Sequence, residues 1–438
     1  MSDRRLSARR AGWSPVLAWA LWDTGSTGVN AIVVTFVFSV YLTHGVGHDL
    51  PGDTSPTSWL GWALGLAGLA VALLAPVTGV WVDPPWRRRR VLAALTAGVV
   101  VLTISMSLIR DDHRYLWAGL LLLAGTAACN ELASVPYNAM LRQLSTPQTS
   151  GRISGLGLGM GYLGSVVLLL IIYLGFISGD GDTRGLLSLP VNGGQNVRAA
   201  MLLTAVWFAL FALPLLIGVR SPDSELAREK PVGLFRAYRT LWDELVSEWR
   251  RDRNVVYYLL ASAVFRDGLT GVFTFGAVLG VNVYGISDAD VLLFGISACV
   301  IAAVGAVGGG RLDDRVGSKP VIVGSLTAMI AVAATLMVLS GPMVFWICGL
   351  TLCLFIGPTL SAARTLMLRI SAEGKEGMAF GLYTTTGRAV SYLAPFLFST
   401  FITVFGADRA GMGGILVVLT GGLLAMLAVT APQRTVAG

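Results

Sequence analysis

Long apolar runs are the feature of this sequence that most limits the fold it can adopt. Hydrophobic residues make up 54% of the 438 residues and only 13% are charged, whereas a soluble domain carries about 25% charged residues. A helix crosses a bilayer with about 20 apolar residues, and it satisfies its own backbone hydrogen bonds there. The sequence therefore predicts an all-α membrane protein. Its twelve predicted spans are residues 16–43, 59–82, 91–109, 115–140, 153–178, 199–219, 254–284, 290–310, 320–340, 343–368, 377–405 and 411–431.

Basic residues are concentrated in every second loop, as in the run at 87–90 and in the segments 220–253 and 311–319. Because cytoplasmic loops carry an excess of Lys and Arg, this pattern predicts that both termini lie in the cytoplasm. It also accounts for the net charge of +7 without a nucleic-acid partner. Arg far outnumbers Lys, which favours a GC-rich bacterial genome and therefore a bacterial plasma membrane.

A polar segment between the sixth and seventh predicted spans divides the chain. We expect an N-terminal six-helix half at 1–220, a cytoplasmic linker at 221–253 and a C-terminal six-helix half at 254–438. Apolar side chains in the linker recur at steps of three and four residues, which is typical of an amphipathic helix. Such a helix would either tether the linker to the membrane surface or bind a regulatory partner.

The two halves share a sequence pattern. The matching positions, in chain order, are 27–29 with 270–272, 139–142 with 366–369, Gly151 with Gly377 and Gly155 with Gly381. Parallel repeats of this kind are typical of transporters that bind their substrate near the membrane midplane, between the halves.

Ionisable residues lie inside several predicted spans, where each costs about 2.5–3.5 kcal/mol even on the milder insertion scale. Polar residues three, four or seven positions away lie on the same helix faces. The predicted lining of a central substrate and proton cavity is Asp23, Asn30, Glu131, Asn138, Arg266, Asp267, Thr270, Arg388 and Tyr392. The alternative is that these residues pair only to hold the helices together, although small or hydroxyl side chains would do so at lower cost.

The three acids of this set outnumber its two arginines. At least one carboxylate therefore lacks a deep basic partner, unless Arg364 reaches it from near the end of its span. A buried carboxylate without a partner binds a proton more readily. We therefore hypothesise that one of the three acids carries a coupling proton.

The loop after the eighth predicted span, GRLDDRVGSKP, resembles the signature loop of the major facilitator superfamily, G-x-x-x-D-R-x-G-x-K/R. Its matching residues are Gly310, Asp314, Arg315, Gly317 and Lys319. The loop after the second span, GVWVDPPWRRRR, resembles it less closely, through Gly79, Asp83 and the run from Arg87 to Arg90. The resemblance implies a cytoplasmic gating latch, in which an acid at a helix N-terminus and a nearby Arg hold one conformation. The alternative is that these charges only set the topology.

Four passages resemble the vacuole-effluxer-like branch of that superfamily. They are Trp22-Asp23 in the first span, VPYNAMLRQLSTPQTSGRISGLGLGMGYLG across the fourth and fifth, FRDGLTGVFTFGAVLG in the seventh and FGLYTTTGRAVSYLAP in the eleventh. The resemblance implies a major facilitator fold and a permease that exports small solutes, since its fungal members release amino acids from the vacuole. For this chain it implies an efflux transporter of a small-molecule substrate, coupled to protons, in a lipid bilayer. We expect it to act as a monomer.

An amino acid is a chemically sensible substrate, because a zwitterion needs a cation for its carboxylate and an anion for its ammonium. Arg388 or Arg266 would supply the cation. One of the three acids, Asp23, Glu131 or Asp267, would supply the anion.

Two other functions stay open. A proton-driven exporter of drugs or amphiphiles would need a larger aromatic pocket, for which Trp19, Trp22, Phe265, Phe273 and Tyr383 are available. A sensor or scaffold without a transported substrate would not need polar stripes on four helices. The sequence does not predict an enzyme, a metal site or a cofactor, because it contains no nucleophile–base constellation and no metal-ligand spacing.

Overall fold

The computed structural model of the protein describes residues 13–51, 54–218, 238–239, 243 and 253–431. In this part of the chain, 12 helices are long and apolar enough to cross a membrane, so the predicted all-α fold with twelve spans is confirmed. Numbered 1 to 12, the spans are Ser14–Val46, Pro56–Val82, Pro85–Met106, His113–Leu144, Ser150–Ile177, Asn192–Gly218, Asn254–Tyr284, Leu293–Val316, Ser318–Val338, Pro342–Ile370, Glu376–Phe405 and Ala410–Leu427. Most of the predicted linker helix in 221–253 lies outside the described residues.

Two spans contain π-helical turns. Span 1 is α-helical at Trp13–Val29 and Phe38–Val40, and π-helical at Asn30–Phe36 and Tyr41–Val46. Span 5 ends with a π-helical turn at Tyr173–Ile177. Such turns are rare and are frequent at functional sites, and the first of them begins at a predicted cavity residue.

Short elements join the spans on one side. A 3₁₀ turn at His113–Tyr115 opens span 4, and another at Asn192–Gly194 opens span 6. Between spans 5 and 6, strand β1 (Thr183–Arg184) pairs antiparallel with strand β2 (Leu189–Pro190) in a small hairpin.

On the other side, the helices extend further than predicted. The helix of span 3, Pro85–Met106, begins before the predicted residue 91, so the basic run lies in its first turns and not in a loop. Proline is favoured at such a start because its missing N–H needs no partner there. The helix of span 8, Asp288–Val316, runs past its predicted end at residue 310, and its acids lie in the last turns. Gly317 then makes the turn to span 9 with a φ of 98°, which glycine adopts without steric cost.

Glycines bring the two halves together on this side of the bundle. Gly151 of span 5 packs on Gly310 of span 8, and Gly79 of span 2 packs on Gly377 of span 11. In each pair, a Cβ on the first glycine would lie 2.5 Å from the carbonyl oxygen of the second. Small residues allow such close helix approach. We call this side, on which span 1 begins and span 2 ends, the closed side, and the opposite side the open side.

Span 11 is interrupted at Ser391 and Tyr392, between helices Glu376–Val390 and Leu393–Phe405. Asp267 of span 7 caps the second helix, because its Oδ2 accepts a hydrogen bond of 2.6 Å from the backbone N–H of Ala394. The first N–H groups of a helix lack intrahelical partners, and a carboxylate can satisfy them. Asp267 was expected to line the cavity, but its buried carboxylate is engaged in the packing of span 11.

Removing this cap should destabilise the protein. We expect Asp267→Ala to lower the free energy of unfolding by about 1–3 kcal/mol, because it leaves the N–H of Ala394 unpaired. Asp267→Asn keeps an oxygen acceptor and should cost less. Thermal denaturation of the detergent-purified variants measures the difference, with Asp408→Ala at an exposed acid as the control. Equal stability of the two Asp267 variants would contradict the capping role.

Candidate functional site: charge pairs between the two halves

A buried cluster of charges joins the halves at the closed side. Glu376, at the start of span 11, accepts hydrogen bonds from Arg88 of span 3 at 2.8 Å and from Arg142 of span 4 at 3.0 Å. Arg88 is 1% exposed and Glu376 is 2% exposed. Such burial is tolerable only when the remaining polar atoms also find partners.

The backbone supplies those partners. Arg88 donates further hydrogen bonds to the carbonyl oxygens of Val82, Asp83 and Ala139, at 2.9–3.0 Å. Arg142 donates to carbonyl oxygens at the end of span 10 and in the following loop. The cluster therefore ties spans 2, 3 and 4 of the first half to spans 10 and 11 of the second.

A related cluster occupies the equivalent position in the other half. Arg369, which matches Arg142 in the sequence repeat, pairs with Asp313 of span 8 at 2.5 Å. It also donates to the carbonyl oxygen of Pro147 at 3.2 Å and to the hydroxyl of Ser150 at 3.1 Å. Ser150 begins span 5 and Pro147 lies in the loop before it, so this cluster also crosses between the halves.

Two aspartates complete the closed side by capping helices of the opposite half. Asp83, which follows span 2, accepts a hydrogen bond of 2.9 Å from the N–H of Met378 in the first turn of span 11. Asp314 of span 8 accepts bonds of 2.7 and 3.0 Å from the N–H groups of Gly151 and Arg152 in the first turn of span 5. Negative charge is favourable at a helix N-terminus. Burial raises the pKa of Asp83 to about 7, against the lowering effect of the Met378 N–H.

The predicted latch residues divide into two groups. Gly79, Asp83, Gly310 and Asp314 lie at the contact between the halves. Of the other three, Arg87 packs on the ring of Trp86 at 4.6 Å, Arg315 is exposed, and Gly317 forms a turn.

Sequence reasoning assigned no latch role to the residues that carry most of the charge at this contact. They are Arg142, Asp313, Arg369 and Glu376, together with Arg88, which the sequence offered only as one of the four arginines at 87–90. The match between Arg142 and Arg369 in the repeat was the one signal that pointed to two of them.

A charge pair between the halves lies deeper in the bundle. Glu131 of span 4 accepts hydrogen bonds from Nε of Arg388 of span 11, at 2.6 Å, and from its Nη2. Both residues lie roughly 18–20 Å from the closed-side ends of their helices, at 1.5 Å per residue. The side chains are 22% and 40% exposed, so this pair between the halves remains accessible.

Polar side chains around this depth are also accessible. Asn30, Thr270, Ser391 and Tyr392 are exposed. Of the closed-side clusters, by contrast, Arg88, Asp313 and Glu376 are buried. Among the predicted cavity residues, these side chains and the Glu131–Arg388 pair are the accessible ones, and we interpret them as the lining of a cleft between the halves on the open side.

A second deep pair between the halves lies nearer the closed side than Glu131 and Arg388. Arg364 of span 10 approaches Asp23 of span 1, with 3.8 Å between Nη2 and Oδ2. The guanidinium carbon lies 5.6 Å from the ring centroids of Trp19 and Tyr137, and these two rings stack on each other at 4.4 Å. Arg364 therefore approaches one of the three deep acids, a possibility that the sequence alone could not decide.

Several buried polar atoms in this part of the protein make no hydrogen bond. In the described residues they include Oδ2 of Asp23, the hydroxyl of Tyr137, Oδ1 of Asn138 and Nη1 of Arg364. An unsatisfied buried polar atom costs about 1–3 kcal/mol. Most native proteins avoid that cost. The concentration of unsatisfied polar atoms on spans 1, 4 and 10 therefore indicates a functional region.

Arg266, also expected in the cavity, is engaged within its own half. Its guanidinium carbon lies 3.9 Å from the ring centroid of Tyr383, and it donates a hydrogen bond of 3.0 Å to the carbonyl of the same residue. Of the aromatic side chains considered for a drug pocket, Trp19, Trp22, Phe265 and Tyr383 are buried and Phe273 is 37% exposed.

The sequence is similar to proteins of one transporter family. Residues 50–437 match the model of the family described as vacuole effluxer Atg22 like. The uncharacterized MFS-type transporter YxiO of Bacillus subtilis is 20% identical over 419 residues, with 95% of each chain covered. Autophagy-related protein 22 of Yarrowia lipolytica is 21% identical over 280 residues, which cover 57% of this chain and 45% of the fungal protein.

Solved structures with the same fold are major facilitator transporters. FucP in the outward conformation superposes with a TM-score of 0.71 at 13% identity, covering 97% of this chain and 100% of FucP. The proton:xylose symporter XylE superposes with a TM-score of 0.69 at 16% identity, covering 95% of this chain and 93% of XylE. At these identities the likeness shows the fold alone.

Glu376 should be the residue on which the closed side depends most. We expect Glu376→Gln to weaken the contact between the halves by about 3–5 kcal/mol, because two arginines lose their buried counter-charge. Thermal denaturation and the distance between spin labels on Arg90→Cys and Val316→Cys, both at exposed closed-side positions, measure the effect. Glu373→Gln, at an exposed acid of the same loop, is the matched control. Similar behaviour of the two variants would overturn this assignment.

Asp83 should make the closed side sensitive to pH. Its raised pKa, about 7, means that the closed state binds a proton more tightly than an opened, hydrated state with an ordinary pKa. Acid therefore stabilises the closed state by protonating Asp83, and this stabilisation is lost as the pH rises through about 7. We expect Asp83→Asn, which keeps an acceptor for the Met378 N–H, to remove this contribution from the pH dependence of the same label distance. An unchanged pH profile of the label distance in Asp83→Asn would contradict this role of Asp83.

Proposed function

The chain belongs to the vacuole effluxer Atg22-like family of major facilitator transporters, and on this premise we propose that it exports small polar solutes such as amino acids in exchange for protons. The observation that carries the proposal is the Glu131–Arg388 pair. It offers one carboxylate and one guanidinium, partly exposed, on helices of opposite halves.

A zwitterion matches this pair in charge. The substrate carboxylate would accept charge-assisted hydrogen bonds from Arg388, and its ammonium would donate to Glu131. Binding would then replace the direct contact between the two side chains, so the substrate itself would bridge spans 4 and 11. A substrate that bridges both halves favours one arrangement of them over another, as alternating access requires.

The closed side supplies the gate of this cycle. Its charge clusters and helix caps are intact in the present structure, and the cleft faces the open side. With the topology that the basic loops predict, the closed side faces the cytoplasm, both termini lie there, and the structure is the outward-facing state. We place the protein in a bacterial plasma membrane, where it acts as a monomer.

Of the alternatives, an exporter of drugs or amphiphiles has less support. Most of the aromatic side chains that it would need are buried in helix packing, whereas the accessible groups at the base of the cleft are charged or polar. A sensor that transports nothing would have no use for an exposed ion pair at this depth.

Counterflow in proteoliposomes tests the substrate class. Vesicles are loaded with unlabelled amino acids, and a labelled mixture is added outside. We expect transient accumulation with the unaltered protein and a loss of at least tenfold with Glu131→Gln and with Arg388→Ala, since each removes one charge-assisted contact worth about 1.5–3 kcal/mol. Asp180→Asn, which removes a solvent-exposed ion pair in the hairpin loop, is the matched control and should not change the rate.

The outcomes separate the candidates. Absence of counterflow with folded, unaltered protein would overturn amino-acid transport. Counterflow that persists in both variants would refute the proposed site. Exchange for protons predicts net uptake into vesicles whose lumen is acidic relative to the medium, whereas uptake driven by external acid would indicate symport.

A further inference from the structure

We propose that the Asp23–Arg364 pair is the proton site of this transporter, and that protonation of Asp23 releases the closed side. The inference rests on the proposed function for the role of the proton. Its central test, however, measures conformation and needs no substrate.

The first support is the position of the pair. Asp23 belongs to span 1 and Arg364 to span 10, so their attraction holds the two halves together. Both side chains are largely buried, with 12% and 15% exposure. Charges in such surroundings are weakly screened, and the loss of one of them is felt strongly by the other.

The second support is the incomplete bonding of the pair. Nη2 and Oδ2 lie 3.8 Å apart, and Oδ2 of Asp23 and Nη1 of Arg364 make no hydrogen bond. Glu131, Glu376 and Asp267 instead accept direct hydrogen bonds from an arginine or a backbone N–H. Of these four acids, Asp23 is the one that faces its basic partner across a gap, without a direct hydrogen bond between them.

The groups that face Asp23 from the neighbouring helices support the same assignment. They are Arg364 from span 10, Tyr137 from span 4 and Tyr162 from span 5, with the hydroxyl of Thr27 on span 1 itself. Span 6 packs against this part of span 1 with Trp207 and Phe208, which do not titrate. Asp23 is therefore the one acid in this set and Arg364 the one fixed positive charge.

The consequence for the cycle follows from charge balance. A proton added to the Asp23 carboxylate neutralises it and leaves the Arg364 guanidinium buried without a counter-charge, which is unfavourable until the halves separate and admit water. A proton that enters from the open side thus promotes opening of the closed side. There it can leave, and the restored pair favours closure again. This is the order of events that exchange of an external proton for an internal solute requires.

The experiment measures the closed-side distance as a function of pH without substrate. Spin labels are placed on Arg90→Cys and Val316→Cys in detergent-purified protein whose four native cysteines are replaced by serine. The background also carries Asp83→Asn, which removes the opposite pH response of that residue. We expect a short distance at alkaline pH and a shift of the population to a longer distance in acid.

Two variants and a matched control decide the outcome. Asp23→Asn should show the longer distance at every pH, and so lose the shift. Arg364→Gln should also lose the lengthening in acid, because a protonated Asp23 then leaves no charge buried without a partner. Asp267→Asn, at another buried acid whose cap it preserves, should keep the shift. Because a variant at each member of the pair should lose the response, misfolding of one variant cannot account for the result. Gel filtration confirms that each variant is monodisperse.

Other results would overturn the proposal. It fails if the unaltered background shows no shift with pH, or if Asp23→Asn still responds like the background. The proposed function fails separately, if the unaltered protein shows no counterflow of amino acids whatever its conformational response. In proteoliposomes, Asp23→Asn should also lose the accumulation driven by a pH gradient, while Asp180→Asn retains it.

Discussion

The structure depends on the burial of one carboxylate, that of Glu376, between two arginines of the opposite half. Removing ions from water costs several kcal/mol each, and the cost is recovered only with well-formed hydrogen bonds. Arg88 finds all of its acceptors in a single arrangement of spans 2, 3, 4 and 11. Partial separation of the halves would leave buried charges unpaired. The closed side is therefore either formed or open, which is the two-state behaviour that a transport gate needs.

The same arrangement is built twice, as expected of parallel repeats. Asp83 caps span 11 and Asp314 caps span 5, each from the opposite half. Matched glycines let the helices approach until their backbones touch. The two copies use different residues, since Glu376 pairs with arginines of the other half, whereas Arg369 pairs with an acid of its own half and reaches across through a carbonyl and a hydroxyl. Neither sequence match nor charge count would reveal that difference.

The two deep pairs, Glu131–Arg388 and Asp23–Arg364, have different surroundings, and we therefore propose different roles for them. The Glu131–Arg388 pair is partly exposed and bonded through two contacts, which suits exchange of one partner for a zwitterionic ligand. The Asp23–Arg364 pair is more deeply buried and lacks hydrogen bonds on the facing atoms, which suits a ligand as small as a proton. Substrate and proton would then act on the same equilibrium between the halves from different depths.

The sequence by itself determined the fold class, because twelve apolar runs and alternating basic loops are compatible with few other architectures. It also predicted which ionisable residues lie inside the membrane, since each interrupts an apolar run. It could not pair them, because Asp23 and Arg364 are separated by most of the chain and meet only through helix packing. Arg88 is one of four consecutive arginines, and the rotation of span 3 decides that this one faces inward. Only the tertiary structure decided which charges are buried and which stay in water. That choice depends on the close packing of two halves whose facing residues are far apart in sequence.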